Sequence, residues 1–304
     1  MEIRRSILSV PGHVTKMHAK AAQSNADVIM LDLEDSVPAD SKECARKTIV
    51  NSINSLDWRD KLLTLRINSV DTSYAYEDII YIVERCNSAL KSIVVPKVNH
   101  EGDIYFLDRL LNSLELKLES KNQIKLEASI ETAKGLERIR EIASSSCRLV
   151  SLVFGIADYT TSIGAPLVSM SGHGENDDIL YPGNRWQYVL SRLVTVAKAY
   201  NLFAVDAPYG NFKDLEGLRK SAFTSRLLGF DGKWVIHPNQ IDTVNEVYAP
   251  SKEEIERAQK IIELHLKAEK GNKGAVALDG HMIDSATLHL AQKIWDTANK
   301  LGLV

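Results

Sequence analysis

Acidic residues close several short apolar stretches of the sequence. Glu34 and Asp35 follow the second such stretch, Glu131 ends the fifth, and Asp158 comes just after the sixth. A carboxylate at the end of an apolar strand costs desolvation free energy unless a cation lies close to it. Because no cysteine or histidine cluster accompanies these acids, their oxygens favour Mg²⁺, which takes one or two carboxylates plus waters and substrate oxygens. The pattern therefore predicts a magnesium site.

Few basic residues are placed to oppose these acids. Arg66 lies in the third apolar stretch and Lys97 follows the fourth. Lys16 or Lys20, near the first stretch, could add further positive charge. The excess of acids over these cations is the reason to expect a bound metal ion rather than a set of salt bridges.

Several of these residues also have a simpler structural interpretation. Glu131 could be an acid at the start of a helix, stabilised by the helix macrodipole, although the apolar run before it favours the magnesium interpretation. Asp158 could equally be a turn residue. Asp284 stands before a helical pattern, and on the residues alone it is first of all an N-cap. His237 could be a histidine satisfied within the core.

The elements that would position these residues alternate between short apolar stretches and longer amphipathic ones, which implies βαβ crossovers and a parallel sheet. Continuous apolar strands such as residues 28–31 imply burial on both faces. Eight units match a closed (β/α)₈ TIM barrel better than an open doubly wound sheet, which would usually offer a GxGxxG turn. The predicted strands are residues 6–10, 27–33, 62–67, 92–96, 124–131, 150–155, 202–206 and 233–237.

In such a barrel the active site lies where the strands end at their carboxyl termini. The acids named above are expected at this rim, together with Asp206 and His237, which end the last two strands. Acids alternate from Asp32 to Asp35, so one of them must point away from the rim or enter a salt bridge. A single helical pattern is predicted over residues 132–143.

Two regions depart from this rhythm. Residues 159–183 form a long connection after the sixth strand, and such connections are often functional. The tail shows two helices and no convincing strand: the first opens at Ser251-Lys-Glu-Glu254, a capping box, and the second follows Asp284. A hinge over residues 270–274 separates them. We predict a catalytic barrel over residues 1–247 and a C-terminal helical arm or lid over residues 248–304.

The composition argues against several classes of protein. The formal charge is −3, from 37 basic and 40 acidic residues, so there is no electrostatic footprint for nucleic acid. No apolar run approaches the roughly 20 residues that cross a bilayer. Three cysteines without CxxC spacing fit a reducing compartment, and the residues before the first strand leave no room for a secretory signal. We therefore expect a cytoplasmic location.

The candidate residues stand in segments that resemble the HpcH/HpaI aldolase superfamily and, within it, the citrate lyase β-subunit-like (CitE-like) lyases. The resemblance covers essentially the whole chain, and its eight motifs occur in the expected order on the predicted strands. The segments are Arg4-Arg-Ser-Ile-Leu-Ser-Val-Pro-Gly12, Leu31-Asp-Leu-Glu-Asp-Ser-Val37, Leu65-Arg-Ile-Asn68, Val95-Pro-Lys97, Ile130-Glu-Thr-Ala-Lys-Gly135, Phe154-Gly-Ile-Ala-Asp-Tyr159, Gly229-Phe-Asp-Gly-Lys-Trp-Val-Ile-His-Pro-Asn-Gln240 and Gly280-His-Met-Ile-Asp284.

The resemblance implies a TIM barrel that binds Mg²⁺ and a CoA thioester. Its activity would be reversible cleavage of malyl-CoA, β-methylmalyl-CoA or citramalyl-CoA to an acyl-CoA plus glyoxylate or pyruvate. The alternatives are a malate synthase-type condensation with thioester hydrolysis and citrate lyase β-type cleavage of a carrier-bound citryl thioester. The triplet from Ile236 to Pro238 favours a free-standing CoA enzyme. The C-terminal arm argues against an aldolase that acts without CoA, and the complete set of motif acids argues against a non-catalytic barrel.

The resemblance also implies individual roles. Glu131 and Asp158 would bind Mg²⁺, and Arg66 would face the thioester and keto oxygens. Asp284 would be the acid or base that the arm brings over a neighbouring subunit's site; such an acid needs a dry site, so we expect its pKa to be raised. An arm that crosses in this way implies a closed homo-oligomer, a trimer or a hexamer. The remaining implied contacts are Glu34 and Asp35 to metal-bound waters, the backbone N–H groups of Gly155, Ile156 and Ala157 to the keto-acid carboxylate, and Lys16, Lys20, Ile236, His237 and Pro238 to CoA.

Overall fold

Eight parallel strands close into one barrel, as the sequence predicts. The computed structural model describes residues 2–58, 61–86, 88–171, 184–270, 276–278 and 281–304. Neighbouring strands pair in chain order, and the eighth pairs with the first. The TIM barrel is thereby confirmed, and the carboxyl ends of its strands share one rim. The strands are β1 (Ser6–Pro11), β2 (Val28–Asp32), β3 (Leu62–Arg66), β4 (Leu90–Val95), β5 (Lys125–Ile130), β6 (Leu149–Phe154), β7 (Phe203–Asp206) and β8 (Gly232–Val235).

Amphipathic helices connect the strands and bury one face each. The predicted single helix over residues 132–143 is wrong: it is two helices divided at Arg138, whose backbone leaves the helical region (φ −97°, ψ 18°) while its Nη2 donates to Glu101 at 2.9 Å. The helices of the first 245 residues include α1 (Thr15–Ala22), α2 (Lys42–Ser55), α3 (Ala75–Cys86), α4 (Glu101–Lys117), α5 (Ala133–Glu137), α6 (Ile139–Ala143), α7 (Ile156–Ser162), α8 (Gln187–Ala199) and α9 (Leu215–Leu228), and α10 (Ile241–Tyr248) begins there.

Apolar side chains from several strands fill the inside of the barrel. Because side chains alternate along a strand, the neighbours of these residues face the helices. Asp206 follows the inward-facing Val205, so it points outward, where Lys233 Nζ donates to its Oδ2 at 2.5 Å. The expectation that Asp206 joins the acids at the rim is therefore wrong. The inner cluster consists of Ile7, Val28, Met30, Val94, Val153, Val205 and Trp234, with Leu62 partly buried against it.

A charged pair lies at the opposite, amino-terminal end of the barrel. Arg4 Nη1 donates to Glu127 Oε1 at 2.7 Å, and Ser92 Oγ donates to the same oxygen at 2.5 Å. Both charged side chains are 3% exposed. The Arg4 guanidinium also lies over the ring of Phe203, 5.3 Å from its centroid. Breaking such a pair leaves one buried charge without a partner, which costs more free energy than the intact pair contributes.

The chain divides into two compact units, residues 2–245 and residues 246–304, and the second consists of the C-terminal residues. Helix α11 (Lys252–Lys270) begins with the predicted capping box, in which Ser251 and Glu254 each accept from the other's backbone N–H. It packs against helix α12 (Ser285–Lys300). Strands β9 (Val276–Leu278) and β10 (His281–Ile283) pair antiparallel, so the expectation of a tail without strands is wrong.

Two predicted features lie partly or largely outside the described residues. Most of the hinge over 270–274 does so, as does the second half of the long connection, residues 172–183. Among the described helices, none has both the length and the apolar character needed to cross a membrane.

Replacing Arg4 by methionine is expected to lower the free energy of unfolding by about 3 kcal/mol, because Glu127 keeps a buried charge that no cation offsets. Urea unfolding followed by circular dichroism measures the loss. The double variant R4M/E127M removes both charges and should lose less than R4M alone. A double variant that is no more stable than R4M would show that pairing is not the reason for the loss.

Candidate active site

A fixed guanidinium lies at the rim, where Arg66 ends β3 beside Asp32 at the end of β2. Arg66 Nε and Nη2 donate to the two carboxylate oxygens of Asp32, at 2.6 Å each. The guanidinium also lies over the Trp234 ring, 5.5 Å from its centroid. Burial alone would raise the pKa of Asp32, but the Arg66 charge and hydrogen bonds outweigh it and lower that pKa. Asp32 is thus the acid of its segment whose two oxygens both pair with Arg66.

Glu34 is a buried carboxylate that two cations approach. Lys97 Nζ donates to its Oε1 at 2.5 Å, and Arg66 Nη1 lies 3.0 Å from its Oε2. Oε2 is buried. It forms an ion pair with Arg66 but accepts no hydrogen bond. Burial raises the pKa of Glu34 to about 7; Arg66 and Lys97 lower it, whereas the nearby Glu131 and Asp35 raise it.

Glu131 is held rigidly where β5 ends. Its Oε1 accepts from the backbone N–H of Lys97 at 2.6 Å, and its Oε2 accepts from Ser129 Oγ at 3.0 Å. A Cβ at Gly155 would lie 2.0 Å from Oε2, so only glycine fits beside this carboxylate. Burial raises the pKa of Glu131, and Asp158 adds to the rise. Glu131 precedes helix α5 instead of lying in its first turn, so the macrodipole interpretation does not describe it.

Lys97 links the remaining acids. Its Nζ lies 3.5 Å from Asp35 Oδ2 and 3.7 Å from Asp158 Oδ2, in addition to its contact with Glu34. Asp158 sits in the first turn of α7 and its side chain is 38% exposed, whereas that of Asp35 is 61% exposed. From the sequence, Lys97 is only one of several cations near the acids. Its position directly after an apolar strand is the signal in the sequence that its side chain lies at the rim, among the acids.

The rim suits a hard divalent cation bound through few protein ligands. No three His, Cys, Asp or Glu side chains in the described residues converge closely enough to enclose a cation by themselves. Mg²⁺ does not need such a cage, because it keeps several waters and uses one or two carboxylates. Glu131 and Asp158 offer carboxylate oxygens, and Glu34 adds a buried oxygen, Oε2, that accepts no hydrogen bond. The residues present fit Mg²⁺, and the individual ligands stay predictions.

The predicted carboxylate-binding backbone opens helix α7. Gly155 is its N-cap and supplies no side-chain acceptor. The N–H of Gly155 already donates to Ile130 O, at 3.3 Å. Ile156 and Ala157 are the first residues of the helix, where N–H groups have no intrahelical acceptor. These two are therefore the better placed of the three predicted donors.

The residues predicted to contact CoA lie after β1 and β8. Lys16 and Lys20 share an exposed face of α1, one helical turn apart. After β8, the His237 ring stacks on Phe212, with centroids 4.7 Å apart, and its Nδ1 accepts from a backbone N–H. His237 is half-buried, so it is not a core histidine. The neighbouring residues are exposed: Ile236 and Pro238.

Asp284 is an N-cap, as its position in the sequence indicates. Its Oδ1 accepts from the backbone N–H and from the hydroxyl of Thr287, at 3.0 Å each. These hydrogen bonds lower the pKa of Asp284, which is opposite to the expected rise. The reason is that the carboxylate is stabilised by helix N–H groups within its own chain. Its role as acid or base stays a prediction.

Comparisons with known proteins agree with this geometry. Residues 5–238 match the profile of the family HpcH/HpaI aldolase/citrate lyase. The L-malyl-CoA/beta-methylmalyl-CoA lyase of Rhodobacter capsulatus is 36% identical over 297 residues, which cover 96% of this chain and 93% of that protein. Citrate lyase subunit beta of Leuconostoc mesenteroides subsp. cremoris is 31% identical over 303 residues, which cover 99% and 95%.

A solved structure is similar over its full length. It is CitE from Mycobacterium tuberculosis in complex with magnesium, acetoacetate and coenzyme A. It aligns with a TM-score of 0.76 and 26% sequence identity, covering 98% of each chain.

Replacing Lys97 by glycine is expected to give a more stable protein than replacing it by alanine. Lys97 has φ 52°, a left-handed conformation that costs a residue with a Cβ roughly 1–2 kcal/mol. The greater freedom of glycine in the unfolded chain offsets roughly 0.4–1 kcal/mol of this. Urea unfolding should therefore favour K97G by about 0.5–1 kcal/mol. Lys134 is the matched control, because in helix α5 alanine should be the more stable replacement. The same order at both positions would contradict the argument.

Proposed function

This chain belongs to the HpcH/HpaI aldolase/citrate lyase family, and on that premise we propose that it is a Mg²⁺-dependent carbon–carbon lyase. It cleaves a 3-hydroxyacyl-CoA reversibly to an acyl-CoA and glyoxylate or pyruvate. The observation that carries the proposal is the buried Glu131 beside Asp158, with the Arg66 guanidinium fixed on the same rim. The name of the Rhodobacter capsulatus relative supports the substrate class, and the magnesium and coenzyme A in the CitE complex support the cofactor.

The acids of the rim would hold the metal and its waters. Glu131 and Asp158 are the proposed ligands, and Glu34 and Asp35 would accept hydrogen bonds from metal-bound waters. When bound, Mg²⁺ supplies Lewis-acid polarisation of the substrate's hydroxyl and carboxylate oxygens. The N–H groups of Ile156 and Ala157, at the start of α7, would hold the keto-acid carboxylate.

Arg66 would stabilise the negative charge that carbon–carbon scission leaves on the thioester enolate. Its guanidinium is fixed by two hydrogen bonds to Asp32 and by the Trp234 ring, so it needs little reorganisation as charge develops. Asp284 from a neighbouring subunit would protonate the enolate carbon, and in condensation it would remove that proton. An arm that closes over the site would keep water away from the enolate.

A second candidate is citrate lyase β-type cleavage of a carrier-bound citryl thioester. The similarity to the Leuconostoc mesenteroides subunit favours it. The exposed Ile236 and the stacked pair of His237 and Phe212 favour a free CoA thioester instead, because they offer an apolar, aromatic surface at the rim. CoA carries an adenine that suits such a surface.

The proposed arm transfer makes the active enzyme a homo-oligomer, a trimer or a hexamer, because the exchange of an element between subunits closes into rings. We further propose a cytoplasmic location. Three free cysteines support a reducing compartment: Cys44, Cys86 and Cys147.

The purified protein is expected to release acetyl-CoA and a keto acid from malyl-CoA or citramalyl-CoA when Mg²⁺ is present and not when EDTA is present. Replacing Glu131 by glutamine should lower the rate at least about 100-fold, since loss of a metal ligand costs more than loss of an outer contact. A coupled assay measures the release. Glu43→Gln, which changes an exposed acid of α2, is the matched control and should be unaffected.

If neither thioester is cleaved by protein that binds Mg²⁺, the CoA lyase assignment is wrong. A citryl thioester on an acyl carrier is then the substrate that tests the second candidate.

Two inactive variants are expected to restore activity when they assemble together. Asp284→Asn removes the acid but keeps an N-cap, and Glu131→Gln removes a metal ligand. In a random mixture, about half of the sites have Glu131 and about half of those receive Asp284 from the neighbouring subunit. About a quarter of wild-type activity should therefore return. Co-expression followed by native mass spectrometry and the coupled assay tests this. Mixed oligomers that form but stay inactive would exclude a site shared between subunits.

A further inference from the structure

Lys97 contacts the acids of the rim from two directions. Its left-handed backbone directs its N–H to Glu131 Oε1, at 2.6 Å. Its side chain reaches Glu34, at 2.5 Å, and comes within 4 Å of Asp35 and Asp158. A residue other than glycine seldom adopts such a φ, and strained residues of this kind cluster at functional sites, where their surroundings hold them in place.

We propose that Lys97 is a positioning residue of the metal site and that its ammonium charge sets the affinity of the rim for anionic substrate. The inference rests on the proposed function, because it concerns the same metal ion and the same keto acid. Lys97 would touch neither reacting carbon nor thioester. It would act through the acids that it holds.

The balance of charge on the rim is the first argument. Arg66 donates two hydrogen bonds to Asp32, whose charge offsets its own, and its Nη1 also lies 3.0 Å from Glu34 Oε2. Four further carboxylates remain, and Lys97 is the cation that contacts three of them through its side chain. A bound divalent cation alone would leave this group of carboxylates with excess negative charge. That charge would repel the carboxylate of an approaching keto acid. The Lys97 ammonium offsets one of those charges. The four carboxylates are those of Glu34, Asp35, Glu131 and Asp158.

The sign of the effect separates this role from a structural one. A positive charge beside the site repels a metal cation and attracts a substrate anion. Removing it should therefore tighten the binding of Mg²⁺ and weaken the binding of an anion. A lysine that only stabilised the fold would change both affinities in the same direction, or neither. The Lys97 side chain is 30% exposed, so an anion can approach its ammonium group from solvent.

The test is a pair of calorimetric titrations on the full-length protein, with oxalate as a probe anion. Lys97→Met should bind Mg²⁺ alone about two- to tenfold more tightly than wild type. With Mg²⁺ saturating, it should bind oxalate about tenfold more weakly. Lys97→Arg keeps the charge and should return oxalate affinity towards the wild-type value. Lys134→Met, which removes a charge from an exposed site three residues after Glu131, should change neither affinity.

Lys97→Gly is a second variant in case Lys97→Met fails to fold, because glycine accepts the left-handed backbone without strain. It should show the same opposite shifts. Variants at Lys97 that bind both Mg²⁺ and oxalate as wild type does would overturn the inference and leave the proposed function standing. Parallel weakening of both affinities would also overturn it. Wild-type protein that binds no Mg²⁺ would overturn the proposed function and this inference with it.

Discussion

Repulsion between buried carboxylates at one rim of the barrel is the constraint on which the site depends. Glu34 and Glu131 are each nearly inaccessible to solvent, and burial raises both pKa values, to which Glu131 adds at Glu34 and Asp158 adds at Glu131. Such a pair persists as anions only if positive charge is supplied from fixed directions. The chain supplies part of that charge through Arg66 and Lys97. The negative charge that these two residues do not offset favours the binding of a divalent cation.

Elsewhere in the barrel, buried charges are paired more completely. Arg4 and Glu127 pair at the amino-terminal end, and Asp206 and Lys233 pair between the sheet and the helices. Between the charged ends lies an apolar layer that includes Trp234, on which the guanidinium at the rim rests. The Trp234 ring is buried, and one side of the guanidinium lies over it. Uncompensated negative charge is thus concentrated where the strands end, as ligand binding requires.

The sequence predicts the fold well because each strand is a short apolar run followed by an amphipathic helix. This alternation is visible in the residues without any knowledge of tertiary contacts. It predicts the rim acids because strand ends are visible in such runs. The prediction that Asp206 lies at the rim is wrong. A run of four or five apolar residues does not show which alternate residues face the inside of the barrel, and a shift of one residue reverses the face. The sequence places Lys97 opposite the acids but does not predict its left-handed backbone, because that conformation leaves no trace in residue type at a lysine. The pairing of β9 with β10 was missed because its strands have three residues each.

The N-cap role of Asp284 bears on the direction of proton transfer. Hydrogen bonds from Thr287 stabilise its carboxylate, so within one chain it is an anion at neutral pH. An anionic carboxylate can remove a proton from an acyl-CoA directly, which is the condensation direction. To donate a proton after cleavage it must first gain one, and that requires burial to outweigh the helix N–H groups. A neighbouring subunit could provide such burial. Both roles need the neighbouring site, but only the protonated form of Asp284 also needs burial there to outweigh its capping contacts.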